Sequence, residues 1–166
     1  ELDHTTEFEK VDLYVLEKLK KVVNTYLASF DKYDFATAVQ ELLNFMTNDL
    51  SSFYLDLTKD ILYCEASNSK RRRQVQTVIY KVCESLAKLL APIIPHTAEE
   101  IYNNFVGKNE ESIFLTKYNF KVNEVNESLS NQYVHFKELR NAVLKALETK
   151  RAEKIIGKSI DATLNL

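Results

Sequence analysis

The chain has 166 residues, of which 45% are hydrophobic and 28% charged, and this composition is typical of one folded domain rather than of a disordered or membrane-embedded chain. Its only glycines are Gly107 and Gly157, which excludes a phosphate-cradling loop from the first two thirds, because such loops need glycine where the backbone approaches the ligand. The net charge of −2 conceals an asymmetry: residues 1–69 carry 6 basic and 13 acidic side chains, whereas residues 70–166 carry 16 basic and 11 acidic ones.

The first amphipathic pattern predicts a helix from about Val11 to Phe30, with apolar residues spaced by three and four. Asp34 is the predicted N-cap of a second helix. The polar cluster at 47–49 allows a bend and predicts that a helix restarts as the apolar pattern resumes at Leu50, because such side chains compete for backbone hydrogen bonds.

A third helix is predicted to begin at Lys70, capped by Ser69, and to end before Pro92. Thr97 and Glu100 have the spacing of a capping box and predict a short helix through Phe105, and Gly107 fits the residue after the end of that helix.

The rest of the chain predicts a short extended piece at 113–115, a long helix at about 129–152 and a terminal strand. The long helix is expected to bury Tyr133, Phe136, Leu139, Val143, Leu144 and Leu147. From Ile160 the apolar residues alternate, which indicates a half-buried strand. We therefore predict a mainly α fold, a helical bundle with a short β element at its C-terminal end. Residues 1–128 form the bundle, and residues 129–166 the long helix and the start of a truncated α/β junction.

Several short motifs in this order resemble one family. They are Leu50-Ser-x-Phe53-Tyr54-Leu-Asp56, Lys59-Asp60-x-Leu62-Tyr63, Arg71-Arg72 followed by Gln76-Thr77-Val78, and Leu89-Leu-Ala-Pro92-Ile-x-Pro95-x-Thr97-Ala-Glu-Glu100. Together they resemble the anticodon-binding helical domain of class I aminoacyl-tRNA synthetases for branched aliphatic amino acids. Residues 147–159, Leu-Glu-x-x-Arg-x-x-Lys-x-Ile-Gly-Lys-Ser, are most similar to the isoleucyl-tRNA synthetases of bacterial type.

This resemblance implies that the chain holds the anticodon arm of a tRNA and performs no chemistry itself. The parent enzyme would use ATP with Mg²⁺ to attach isoleucine to its tRNA, and some members carry a Zn²⁺-binding tail. The two catalytic signatures of the family are missing from this sequence, so the catalytic domain would belong to the same parent chain. We expect a cytoplasmic monomer, without a membrane segment, whose sequence starts inside a longer protein.

RNA recognition combines cations for phosphates with amides and aromatic rings for splayed bases. The basic run Lys70, Arg71, Arg72 and Arg73 is the predicted phosphate contact, with Gln76 on the same helix. Further candidate tRNA-binding residues are the amide and hydroxyl groups of Asn44, Asn48 and Ser52, and the basic residues Lys150, Arg151 and Lys154. No catalytic residue and no metal ligand is predicted, since the three histidines and two cysteines are scattered.

Two alternatives remain open on the sequence. The basic run could bind an acidic protein partner, which makes the chain a helical protein-interaction domain and predicts no preference for RNA over other polyanions. The chain could also be the corresponding domain of a valyl-tRNA synthetase. On charge alone the basic groups are a solvated surface. The stripe of Asn44, Asn48 and Ser52 could equally be a solvated helix face, and Lys150, Arg151 and Lys154 lie where basic residues favour the helix dipole.

Overall fold

The computed structural model describes residues 8–117, 127–158 and 161–163. The chain divides into two compact units, residues 1–125 and 126–166. Within the described residues all regular structure is helical, which confirms the predicted mainly α class. No helix in that part of the chain is long and apolar enough to cross a bilayer.

The first helix, α1 (Lys10–Phe30), confirms the predicted first element. The Asp12 carboxylate caps the start of α1 by accepting a hydrogen bond from the backbone N–H of Glu9 at 3.1 Å. Beyond its end, Tyr33 adopts a positive φ of 59°, which turns the chain into the next helix. Asp34 caps that helix, as predicted, by accepting from the N–H of Thr37 at 3.1 Å. Hydrogen bonds with the side chain and the backbone of Thr37 lower the pKa of Asp34.

The predicted restart of the helix at 47–49 is wrong. The helix α2 (Phe35–Asn44) continues without interruption through a π-helix (Phe45–Leu55) into α3 (Asp56–Cys64). In an α-helix, residues nine apart point in opposite directions, so Phe45 and Tyr54 could not face the same core. The wider i→i+5 turn brings both round to the buried side, where each is at most 1% exposed. The polar residues are accommodated within the helix: Ser52 Oγ donates to the carbonyl of Thr47, five residues back, at 2.8 Å.

The core of the first unit forms where α1 packs on α2, on the π-helix and on α4 (Lys70–Leu90). α4 in turn packs against α3 and α5 (Pro95–Asn103). Burying one such aliphatic or aromatic side chain contributes about 1.5–3 kcal/mol. The largest fully buried side chains are those of Tyr14, Val15, Tyr26, Leu42, Phe45, Phe53, Tyr54, Val75, Val78, Val82, Leu89 and Ile113.

The start of α4 is as predicted, because Ser69 Oγ accepts from the N–H of Arg72 at 3.4 Å. At its other end, the hydroxyl of Tyr26 donates to the carbonyl of Leu89 at 2.5 Å. One of the last carbonyls of α4, which lacks a partner within the helix, is thereby satisfied.

The predicted capping box of α5 is wrong. The helix begins three residues earlier, with Ile94 as its N-cap and Pro95 in its first turn, because proline there loses no hydrogen bond and has the helical φ already set. It ends at Asn103 rather than Phe105, so Gly107 (φ 79°) lies beyond the capping position. Residues Ile113–Leu115 form a 3₁₀ turn rather than an extended piece, and Glu99 holds it by accepting from Ser112 Oγ at 2.9 Å.

The second unit contains α6 (Glu127–Ala152), which confirms the predicted long helix. Its predicted buried stripe is largely wrong, since only Leu147 is buried while Phe136 and Leu139 are 47% and 48% exposed. A 3.6-residue period marks an apolar face but does not supply an element to cover it. Of the predicted terminal strand, residues 160 and 164–166 lie outside the described residues, and residues 161–163 do not form a strand.

Candidate nucleic-acid interface

The basic run at the start of α4 is divided by the helix between the interior and the surface. Successive residues of an α-helix are rotated by about 100°, so four adjacent cations cannot share one face. Lys70 is exposed, whereas Arg71, Arg72 and Arg73 are partly buried, and each of these three has different partners.

The Arg71 guanidinium pairs with the carboxylate of Asp12, a side chain with no exposure at all. Arg71 Nη1 bonds Asp12 Oδ2, and Nη2 donates to Oδ1 at 3.1 Å. A second carboxylate, that of Glu9, lies 3.2 Å from Arg71 Nε, and Tyr54 donates its hydroxyl proton to Asp12 Oδ1 at 2.7 Å. Asp12, a residue of α1, therefore binds both the π-helix, through Tyr54, and α4, through Arg71.

The ionisation of this cluster follows from its burial and its pairing. Burial raises the pKa of the Tyr54 hydroxyl, and the adjacent Asp12 charge raises it further. For Arg71, burial by itself lowers the pKa, but the hydrogen bonds and charge of Asp12 outweigh it, so that the pKa is raised. Both groups keep their protons at neutral pH, which maintains the ion pair and the hydrogen bond.

Arg72 is also directed at the protein. Its Nη1 donates to the backbone carbonyl of Glu65 at 2.9 Å, across the loop that joins α3 to α4. This bond fastens the chain as it enters α4, and it occupies one edge of the guanidinium with a backbone group.

Arg73 differs from Arg71, because among residues 8–117 and 127–158 no carboxylate forms an ion pair with it, and from Arg72, because its side chain bonds a residue of its own helix. Its Nη1 donates to Gln76 Oε1 at 3.1 Å. The two candidate residues that the sequence placed on one face of α4 are thus in contact, and both are partly exposed.

Arg73 and Gln76 line a groove of about 440 Å³, which we call the α4 groove. One wall is a stripe of α4, and the other is the turn that follows α5. The complete lining is Arg73, Gln76, Ile79, Tyr80, Cys83, Asn104, Phe105 and Val106. The groove therefore combines one cation and two amides with an aromatic and aliphatic surface.

Asn44, Asn48 and Ser52 are all exposed. Asn44 ends α2 and accepts from Gln40 Nε2 at 3.0 Å, whereas the other two lie in the π-helix. Residues four apart align along an α-helix but not along the wider π turn, so the predicted stripe does not run straight. No contact described in the structure joins these residues to the α4 groove, and the prediction that they bind tRNA stays a prediction.

The basic residues at the end of α6 belong to the second unit. Lys150 pairs with Glu153 at 2.7 Å, and Arg151 is exposed in the last turn of the helix. Lys154 follows the helix with a positive φ of 58° and donates its backbone N–H to the carbonyl of Arg151 at 2.9 Å. Cations at this end also favour the helix dipole, so their position alone does not assign them to RNA.

Sequence reasoning missed the second wall of the groove, Asn104 to Val106, because it comes from a turn about 30 residues away along the chain. The first wall did have a signal, since positions 73, 76, 80 and 83 recur with helical spacing beside the buried stripe of α4. Asp12 was missed because a charged residue on an apolar helix face is usually exposed, and its burial in this fold depends on a partner 59 residues away.

The described residues contain no group of three or more His, Cys, Asp or Glu side chains placed to hold a metal ion. Gly107 lies in an open turn with no atom within 4 Å of the position of an added Cβ, unlike the glycines of a phosphate loop, which the ligand approaches closely.

The bundle, with its partly exposed arginine beside amides and rings, has the features of a helical RNA-recognition module. Residues 12–166 match the family described as the anticodon-binding domain of tRNA ligase, and the chain belongs to that family.

Among curated proteins, the chain is 44% identical over 159 residues to isoleucine–tRNA ligase 1 of Oceanobacillus iheyensis, a match that covers 95% of the chain and 17% of that protein. It is 45% identical over 161 residues to the isoleucine–tRNA ligases of Bacillus cytotoxicus and Bacillus cereus, covering 96% of the chain and 18% of each relative. The chain thus spans less than a fifth of the length of the relatives it matches.

Proposed function

We propose that this chain binds the anticodon arm of a tRNA as one module of a longer isoleucine–tRNA ligase. The observation that carries the proposal is the family match over residues 12–166, together with 44–45% identity to isoleucine–tRNA ligases along nearly the whole chain. The partly exposed Arg73 and the groove it lines support the proposal, because anticodon recognition needs a cation for phosphate beside groups that contact unpaired bases.

The longer protein would use ATP with Mg²⁺ to attach isoleucine to its tRNA, with Zn²⁺ bound elsewhere in members that carry the metal-binding tail. The catalytic domain of the same longer chain is the proposed neighbour of this module. Residues 129–166 would begin a mixed α/β junction in which the alternating residues from Ile160 pair as a strand. We further propose that the ligase acts as a cytoplasmic monomer.

Within this module, we assign the outward cations to RNA binding and the inward cations to holding the fold. Lys70 and Arg73 are the proposed phosphate contacts, whereas Arg71 holds Asp12 and Arg72 holds the loop carbonyl of Glu65. A charge reversal of all three arginines would therefore test folding and binding together. A single change at Arg73 separates the two.

The experiment compares Arg73→Gln with Lys59→Gln in the longer ligase. Lys59 is an exposed lysine paired with Asp56 at 2.8 Å, so its replacement removes the same charge away from the proposed interface. We expect Arg73→Gln to reduce the steepness of log K for the isoleucine tRNA against log salt by about 0.7–0.9, the contribution of one phosphate contact. Lys59→Gln should leave the slope unchanged, and amino-acid activation should be unaffected in both.

Failure of the unmodified ligase to bind the isoleucine tRNA would overturn the proposal. If both variants had the same slope of log K against log salt, the proposed function would stand, but Arg73 would not be a phosphate contact. Preference for a valine tRNA would favour the valyl alternative. Loss of an acidic protein partner on Arg73→Gln, with tRNA binding intact, would favour the protein-interaction alternative.

A further inference from the structure

We propose that the α4 groove receives one unpaired nucleobase of the bound tRNA, a role that depends on the proposed function. A nucleobase has two flat apolar faces and a polar edge, and sequence-specific RNA recognition usually combines stacking with edge hydrogen bonds. The groove offers the same combination. Ile79, Phe105 and Val106 supply apolar surface, and Gln76 and Asn104 supply amides.

The hydrogen bonds already present within the groove leave complementary groups available. Because Gln76 Oε1 accepts from Arg73 Nη1, the amide nitrogen of Gln76 and the rest of the guanidinium remain as donors. Asn104 Nδ2 donates to the carbonyl of Glu100 at 2.9 Å, which leaves Asn104 Oδ1 as an acceptor on the opposite wall. Base edges carry both acceptor atoms and amino groups, so donors on α4 and an acceptor on the turn suit them.

The second wall is held to the first before any ligand arrives. The ring of Tyr80 meets that of Phe105 edge to face, with centroids 5.1 Å apart and an angle of 90°. The Tyr80 hydroxyl also donates to the carbonyl of Val106 at 3.3 Å. A preformed groove binds more tightly, since little conformational entropy is lost on binding.

Charge and size favour a nucleotide over a peptide or a second copy of the chain. Arg73 is the single charged residue among those that line the groove, and among the described residues no carboxylate neutralises it, so it attracts a phosphate. The volume of about 440 Å³ is at the small end for ligand pockets, which are about 300–1,000 Å³, and suits one planar group rather than a helix or strand.

The test couples a change in the groove to the removal of single bases from the RNA. In the longer ligase, Cys83→Phe fills the groove from α4. Cys64→Phe is the matched control, because Cys64 is also free and exposed but does not line the groove. Each unpaired nucleotide of the anticodon loop is replaced in turn by an abasic one, and the dissociation constant is measured for every combination.

We expect one abasic position to weaken binding about 5- to 150-fold in the unmodified and Cys64→Phe proteins, which corresponds to the loss of one stacked base. In the Cys83→Phe protein, removing the same base should raise the dissociation constant by less than about twofold, because the phenylalanine has already displaced that base from the groove. If Cys83→Phe does not fold, as judged by circular dichroism, Gln76→Leu takes its place, and the penalty at that one position should shrink.

An equal abasic penalty in the groove variant and the unmodified protein, at every loop nucleotide, would overturn the groove proposal while leaving anticodon binding intact. A change in self-association or peptide binding with unchanged tRNA affinity in Cys83→Phe would overturn it as well. Absence of tRNA binding by the unmodified ligase would instead overturn the proposed function on which it depends.

Discussion

Arg71 and Arg73 are two residues apart on the same helix, and the structure uses them in opposite ways. Arg71 pairs with the fully buried Asp12, which also binds Tyr54 of the π-helix, whereas Arg73 contacts the amide of Gln76 and lines an open groove. Two residues correspond to about 200° of helix rotation, which separates the core side of α4 from its outer side. A run of like charges is therefore not one site, and its members need separate tests.

The largest expected effect is on the inward arginine. Arg71→Gln leaves the Asp12 carboxylate buried without its cation, and breaking such a pair costs about 3–5 kcal/mol. Arg73→Gln, at a position without a carboxylate partner among the described residues, should change the free energy of unfolding by less than about 0.5 kcal/mol. Urea unfolding followed by circular dichroism compares the two. Similar losses in both variants would contradict the division between inward and outward cations.

We expect a smaller loss of stability when the cluster of Asp12, Arg71 and Tyr54 loses only one hydrogen bond. Tyr54→Phe removes the donor that lies 2.7 Å from Asp12 Oδ1 but keeps the ring in the core. Hydrogen bonds to charged groups contribute about 1.5–3 kcal/mol, so this variant should lie between Arg71→Gln and Arg73→Gln in the same urea titration. Stability equal to that of the unmodified chain would mean that the Asp12 carboxylate does not depend on this bond.

The smallest effect is expected in the dependence on pH. Because the pKa of Tyr54 is raised in the folded state, the unfolded chain loses this proton first, and the folded state holds more protons above about pH 10. The stabilisation is complete below the unfolded pKa and is lost as pH rises beyond it, by at most about 1.4 kcal/mol per pH unit. Between about pH 9 and pH 11, unfolding free energies should fall more steeply for the unmodified chain than for Tyr54→Phe. Parallel curves would contradict the assignment.

The helices of the first unit could be predicted because their signals are local. Apolar spacing located α1 and α4, and the caps at Asp34 and Ser69 were found because a capping side chain bonds a backbone group only three residues away. The π-helix was missed, since the sequence places polar residues at 47–49 and gives no sign that Phe45 and Tyr54 must share a core.

The candidate site could be predicted only on the side that a single helix contributes. Arg73 and Gln76 were identified from their spacing, but the facing turn at Asn104 depends on how α5 packs on α4. The burial of Arg71 likewise depends on Asp12, which is far away in the chain and whose charge gave no indication of a core position. Partners that only tertiary packing brings together are beyond what helical periodicity can indicate.

The π-helix at Phe45–Leu55 makes the number of residues in this segment as informative as their identity. If a relative had one residue fewer in it, the helix beyond the deletion would turn by about 100° relative to α1, which would carry the residue equivalent to Tyr54 away from Asp12. Insertions and deletions in a loop only change the length of the loop. In this helix they rotate the residues that follow about the helix axis. When sequences of the family are aligned, a gap placed within these eleven residues therefore implies a different set of core contacts for the rest of that helix, as far as Cys64.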